Sequence, residues 1–299
     1  MEQTRSHSQT PEQIVADFAL LLDLEMRGAD RFMGRCMDGD VGRIFGGQAI
    51  AQALVAARRT VGPEFLTHSL HAYFLRGGIA NQKIEFRVKR DLDGRSFSNR
   101  RVVASQNGEA ILNLTASFQK LQPGLGHQQA QMPDVPPPED LVPDTVIMRK
   151  LATGLDNERL REVRLRPQPF DIRSVEPRDW FNPQKREALS HIWIRTLAPL
   201  PPNPHVHRAA LAYVTDFQLL STVLQPHGLS LMNGDLKLAS LDHAVWYHED
   251  FRCDDWLLYV TDSPWTGNAR GFARGQVFDR SGNIVASVAQ EGMIRDIRD

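Results

Sequence analysis

Cysteine is almost missing from this chain. Cys36 and Cys253 are its two cysteines, far apart and without C-x-x-C spacing, which excludes a disulfide scaffold and fits a reduced, intracellular protein. An excess of either charge is missing too: 35 Lys and Arg stand against 36 Asp and Glu, for a net charge of −1. Arg58-Arg59 and Arg100-Arg101 are local pairs read as solvated faces, so no nucleic-acid partner is expected. No window approaches the ~20 consecutive apolar residues of a membrane span, and none is expected to enter a membrane. Met1 to Arg5 is polar and lacks the apolar stretch of a signal peptide, while Ile297-Arg298-Asp299 is not a peroxisomal tripeptide, so the expected setting is cytoplasmic. Gly-x-Ser-x-Gly, a phosphate loop and a dinucleotide fingerprint are all missing. His243 and His248 lack further ligands at metal spacing, so neither metal nor cofactor is expected.

What the chain does have is a repeat. His71-Ala72-Tyr73-Phe74 is echoed by His243-Ala244-Val245-Trp246, and the turn at Asn107-Gly108 by Ser281-Gly282. The offsets, 172 for the histidines and 174 for the glycines, nearly agree, as in a duplicated domain with a small insertion. Where the second copy has Gln290, the first has Ala116. One copy has lost polar groups that the other keeps, which directs the search for chemistry to the second. Hydrophobic content of 41% over 299 residues supports a real core in two ordinary domains or one large one.

Local patterns give each copy a helix and then an antiparallel meander. Thr10-Pro11-Glu12-Gln13 reads as a capping box with proline at the first helical position, opening a short helix with Ile14, Val15, Phe18, Leu21 and Leu22 on one face. Residues 49–59 are Ala-rich, free of Gly and Pro, and read as a buried helix. Alternation at 83–89, and at 100–105 and 110–118 around Asn107-Gly108, reads as strands. Residues 120–143, with Pro136-Pro137-Pro138, read as a connection. A charged helical patch at 145–166 follows, and then an irregular stretch with Pro167, Pro169, Pro177 and Pro183. The second copy starts with a strand at 191–195. A single buried helix is expected over 208–224 with Asp216 breaking its apolar pattern, and strands at 238–247, 256–261, 269–278 and 283–294.

Several motifs, in order, resemble the acyl-CoA thioesterase II family: Val41-Gly42-Arg43-Ile44-Phe45-Gly46-Gly47-Gln48, Thr67-His68-Ser69-Leu70-His71-Ala72-Tyr73-Phe74-Leu75-Arg76, Leu224-Gln225-Pro226-His227-Gly228, Ala239-Ser240-Leu241-Asp242-His243 and Ala289-Gln290-Glu291-Gly292. The resemblance covers about residues 14–295 apart from the connection. It implies an α+β fold of two tandem hot-dog domains, with antiparallel sheets wrapped around central helices. The expected division is 1–120, a linker at 121–187, and 188–299 carrying the catalytic set. It also implies hydrolysis of an acyl-CoA substrate to free acid and coenzyme A, and self-association as a homodimer or homotetramer. The family's acidic residue on the second helix, hydroxyl residue on a strand and glutamine on a late strand fall here on Asp216, Ser240 and Gln290. Many relatives have threonine where this chain has Ser240.

Thioester hydrolysis needs an activated water, an acceptor for its proton, and donors where the oxyanion develops. Asp216 suits the acceptor, with Ser240 and Gln290 aiming the same water. Backbone N–H groups of Gly46, Gly47 and Gln48, at a helix start, are candidate oxyanion donors. Taken singly, each residue has an ordinary reading: a solvated helix aspartate, a strand serine, an exposed glutamine. His68, at the repeat position of Ser240, is either a supporting residue or a relic. His71, Asp242 and His243 fit structural hydrogen bonding. Two other functions suit the same outline. A hot-dog hydratase or dehydratase uses a histidine with an acidic partner, and Asp242-His243 is that pair, although adjacent strand residues face opposite ways. A non-catalytic acyl-CoA sensor needs an output module, and no DNA-reading helix pair or basic extension is visible.

Overall fold

A computed structural model describes residues 9–36, 42–152, 167–233 and 236–296. Val41 of the first motif, part of the 145–166 patch, and both chain ends considered above lie outside the described residues. Helix α1 (Pro11–Leu22) starts as its sequence dictates: the Thr10 side chain accepts from the Gln13 N–H, Gln13 answers the Thr10 backbone, and Val15, Phe18, Leu21 and Leu22 are buried. Two short strands not anticipated from the sequence, β1 (Glu25–Met26) and β2 (Arg31–Gly34), come next. Helix α2 (Gly46–Arg58) begins three residues before the expected 49, because Gly46, Gly47 and Gln48 form its first turn.

Strands β3 (Phe65–Phe74), β4 (Ile84–Asp93), β5 (Phe97–Gln106) and β6 (Glu109–Lys120) complete the first half. Asn107 and Gly108 both take positive φ, 50° and 82°, as a two-residue hairpin turn between β5 and β6 requires. In the charged patch, α3 (Asp144–Ala152) is helical. The stretch expected to be irregular contains β7 (Phe170–Ser174), which pairs with β8 (Leu189–Thr196).

Two further expectations are corrected. The single helix at 208–224 is two: α4 (Pro204–Thr215), capped by Asn203, and α5 (Leu219–Leu224). Between them Gln218 takes φ 67°, a left-handed conformation that no helix accommodates. The single strand at 238–247 is also two, β9 (Leu236–Ser240) and β10 (Asp242–Tyr247), separated at Leu241. Strands β11 (Leu257–Gly267), β12 (Arg270–Phe278) and β13 (Ile284–Asp296) follow.

All the described strands form one antiparallel sheet in the order β1-β2-β4-β5-β6-β3-β10-β13-β12-β11-β8-β7, with β9 paired to β13. The halves join through β3 and β10, from Asp242 opposite Tyr73 to Trp246 opposite Ser69. Inside the sheet lie α2 and α4, where Ala49, Ala51, Ala53, Ala56, Ala57, Ala209, Ala210 and Ala212 are all buried. Small side chains bring the helix backbones close. A Cβ on Gly47 would stand 2.2 Å from the Tyr213 carbonyl oxygen. At the far ends, Leu54 and Arg58 share a cleft with His205 and Val206. The two helices therefore run antiparallel, and the N-terminus of α2 meets the C-terminus of α4.

Candidate active site

Asp216 sits where those helix ends meet. As the C-cap of α4 it lies at the negative end of one helix dipole, and it faces the positive end of α2, whose Gly47 N–H favours its charged form. Burial acts the other way. It holds the Asp216 carboxyl above the usual aspartate range, partly offset by hydrogen bonds from Gln290 and the Gly47 N–H. The residue as a whole is nonetheless only partly buried.

Ser240 ends β9 opposite Gly292, and Gln290 lies on the inward face of β13, 1% exposed. Gln290 Nε2 donates to Asp216 Oδ1 at 2.9 Å and to Ser240 Oγ at 2.7 Å. Three residues from a helix end, a strand end and a strand interior thus meet at one carboxamide. Asp216 and Ser240 are both only partly buried as residues, on either side of the buried amide that bridges them.

The remaining expected residues divide. Gly46 and Gly47 reach the site: a Cβ on Gly46 would lie 2.7 Å from Asp216 Oδ2. Gln48 turns away, its N–H donating to the Phe45 carbonyl and its side chain to the Arg35 carbonyl. His68 occupies a bulge in β3 and bonds Ser117 Oγ at 2.8 Å, packed edge-on against Phe97. It is not brought to Asp216. Asp242 and His243 face opposite ways: Asp242 accepts from the Glu291 N–H at 2.7 Å, while His243 is fully buried.

Two contributors were not assigned to the site from the sequence. His243 Nδ1 lies 2.7 Å from Gln290 Oε1, and its Nε2 lies 3.2 Å from Thr215 Oγ1. Alternation along β10 and β13 puts His243 and Gln290 on inward faces, but their register is not written in either strand. The segment between the halves also contributes: Gln218 donates to Asp144 Oδ2 at 3.4 Å and accepts from Arg178 at 3.5 Å. Arg178 further donates to the Ser221 carbonyl and hydroxyl at 3.3 and 3.1 Å. These bonds hold the turn that carries Asp216. Among the described residues no group of three or more His, Cys, Asp or Glu is placed to hold a metal ion, and no helix is long and apolar enough to cross a membrane.

The glycine at the helix crossing gives a first test. Gly47→Ala sets a methyl group against the Tyr213 carbonyl and, at 2.5 Å, the Phe45 ring. Overpacking of this kind costs about 1–3 kcal/mol, and here relief moves the α2 N-terminus off Asp216. We expect a lower midpoint in thermal unfolding together with reduced turnover. An unchanged midpoint refutes the close crossing.

With the geometry in place, the chain can be compared with known proteins. The profile described as acyl-CoA thioesterase matches residues 166–293, and that described as acyl-CoA thioesterase N-terminal domain matches residues 38–119. Acyl-coenzyme A thioesterase 8 of Mus musculus is 37% identical over 287 residues, covering 92% of this chain and 88% of its own. The crystal structure of acyl-CoA thioesterase II TesB2 from Mycobacterium marinum is 38% identical with a TM-score of 0.75, covering 94% of this chain and 98% of its own. A hot-dog protein of unknown function from Alicyclobacillus acidocaldarius superposes with a TM-score of 0.72 at 21% identity, covering 93% of this chain and 97% of its own. That last likeness speaks to the fold.

Proposed function

The chain belongs to the acyl-CoA thioesterase II family and is a thioester hydrolase with the double hot-dog fold, and from that premise we propose that Asp216, Ser240 and Gln290 form its hydrolytic centre. The observation that carries the reading is the Gln290 carboxamide, which joins the Asp216 carboxylate to the Ser240 hydroxyl at 2.9 and 2.7 Å. Water seated between those two groups gives a proton to Asp216 as its oxygen attacks the thioester carbonyl carbon. The C–S bond then breaks, the carbonyl re-forms as a free acid, and the proton passes from Asp216 to the departing sulfur. Gln290 spends both N–H bonds on its neighbours, so its part is to hold them at a fixed spacing. Gly46 opens α2, and its N–H is among those that a helix leaves without an internal acceptor. With Gly47 directed at Asp216, we assign the oxyanion donor to Gly46.

The sequence division into 1–120, 121–187 and 188–299 belongs to this reading, with β7 added to the second half's sheet from within the linker. So do self-association and a cytoplasmic setting. Tyr73, 58% exposed, and Trp246, 37% exposed, place large rings at the surface beside the joint between the halves, surface of the kind that a second copy covers. The hydratase alternative gains nothing from Asp242 and His243, which face apart.

The test is free thiol released from a saturated acyl-CoA by the purified protein. Hydrolysis is expected, whereas a hydratase or a sensor leaves that substrate intact. Ser240→Thr should retain substantial activity, because it keeps the hydroxyl, and Ser240→Ala should lose about two orders of magnitude. Equal loss in both removes the hydroxyl from the scheme.

A further inference from the structure

His243 takes no part in the bonds broken and made above, yet it touches the residue on which the centre turns. Its ring is fully buried, with Nδ1 2.7 Å from Gln290 Oε1 and Nε2 3.2 Å from Thr215 Oγ1. The Thr215 carbonyl accepts in turn from the Tyr259 hydroxyl at 3.1 Å, so the threonine is itself held. A primary carboxamide turned by half a rotation about its last torsion exchanges oxygen and nitrogen with little change in shape. Turned that way, Gln290 would set its oxygen against the Asp216 carboxylate, two acceptors with no proton between them. Both N–H bonds would face away from the centre.

The group behind the amide decides which orientation holds. We propose that His243 is a positioning residue: by donating from Nδ1 to Gln290 Oε1 it locks the amide nitrogen toward Asp216 and Ser240, and so makes the Ser240 hydroxyl a donor to the reacting oxygen. The inference rests on the hydrolytic centre proposed above. Burial holds the imidazole below its usual range and therefore neutral, with one proton to place. Gln290 settles where: its Nε2 is directed at Asp216 and Ser240 and its Oε1 can only accept, so the ring proton sits on Nδ1, and Nε2 is left to accept from the Thr215 hydroxyl, which also lies 3.5 Å from the Ala212 carbonyl. The polarity then runs one way, from Thr215 through His243 to Gln290, and from Gln290 to Asp216 and Ser240. Ser240 Oγ has already accepted from Gln290, so its own proton is free for the open side, where the thioester oxygen or the water arrives.

Asparagine carries its amide nitrogen on the Cγ atom, as histidine carries Nδ1. Glutamine sets it one bond further out, and phenylalanine keeps the ring without a donor. His243→Phe is expected to lower kcat about 10- to 100-fold, a loss of the size that misplaced catalytic groups produce, with KM within a few-fold of the parent. His243→Asn should recover kcat to within about fivefold of the parent even though it opens a cavity and melts lower. His243→Gln should fail as phenylalanine does, so the asparagine and glutamine variants decide the matter even if the phenylalanine variant does not fold. A purely structural histidine predicts that activities follow the melting temperatures. That order, or asparagine no better than glutamine, overturns the proposal. Gln290→Ala separates the two levels of argument: full turnover there refutes the hydrolytic centre itself, while loss there with parental kcat in His243→Phe refutes this inference alone. Added to Gln290→Ala, His243→Phe should cost little more, because the group it orients is gone.

Discussion

Asp216→Asn is expected to lower kcat by about two orders of magnitude or more while leaving the fold at least as stable as before. Both halves of that result follow from one position. Burial holds the Asp216 carboxyl above the usual aspartate range, so its charged form carries a desolvation cost in the folded protein that a neutral amide does not. The same charge is what accepts a proton from water, and an amide cannot. Stability and activity should therefore separate in this variant, with an unchanged or raised unfolding midpoint beside near-complete loss of thiol release. Parental turnover in a folded Asp216→Asn protein removes Asp216 from the reaction.

A pH profile sharpens this prediction. The base must be deprotonated, so kcat should fall as pH drops through the raised pKa, with its acid limb above the ordinary aspartate value. The N–H groups of Gln290 and Gly47 both favour the charged form. Removing the Gln290 N–H in Gln290→Ala should move that limb to higher pH, as well as lowering the plateau by about two orders of magnitude. Because both residues serve one water, the Asp216→Asn, Gln290→Ala pair should lose far less than the product of the single losses. Simple multiplication of the two losses would mean that the residues act independently.

Much of this was legible before any coordinates. Thr10, Pro11 and Gln13 announce α1, Asn107-Gly108 announces a hairpin, and the repeat announces two like halves. The residues carried over from the resemblance meet in space at Gln290. Where reading failed, the deciding contact was remote. Residues 208–224 read as one helix because Gln218 carries no sign of its φ of 67°. That turn is held by Asp144 and Arg178 from a segment read as linker. Strand β7 was hidden by the prolines around it, and it forms because β8 offers an edge. Leu241 looks like any strand residue, and it becomes a break because its N–H goes to Glu291 and its carbonyl to Phe74, one on each neighbouring strand. His243 was read as a structural hydrogen-bonding residue, and it is fully buried. What its own strand does not record is that the bond it makes is to Gln290.

The halves should also fail apart. A fragment of residues 121–299 holds Asp216, Ser240, Gln290 and His243, together with the linker contacts that hold Gln218, so a lack of local parts does not explain any inactivity. What it lacks is the surface that the first half covers. Strand β10 loses its pairing with β3, from Tyr73 to Ser69, and becomes an open edge. Leu70 and Val245, opposite each other in that pairing and both fully buried, lose burial worth about 1.5–3 kcal/mol each. Helix α4 loses α2, and with it the Gly47 N–H that favours the charged form of Asp216. We expect the fragment to aggregate or pair with itself, with thiol release at least 100-fold below that of the whole chain, a loss of the size that misplaced catalytic groups produce. Co-expression with residues 1–120 should restore both solubility and turnover, since it returns the β3 edge and the α2 N-terminus together. Full turnover by a monomeric 121–299 fragment would show that neither the shared sheet nor the first half's helix is needed, and that the centre belongs to one half alone.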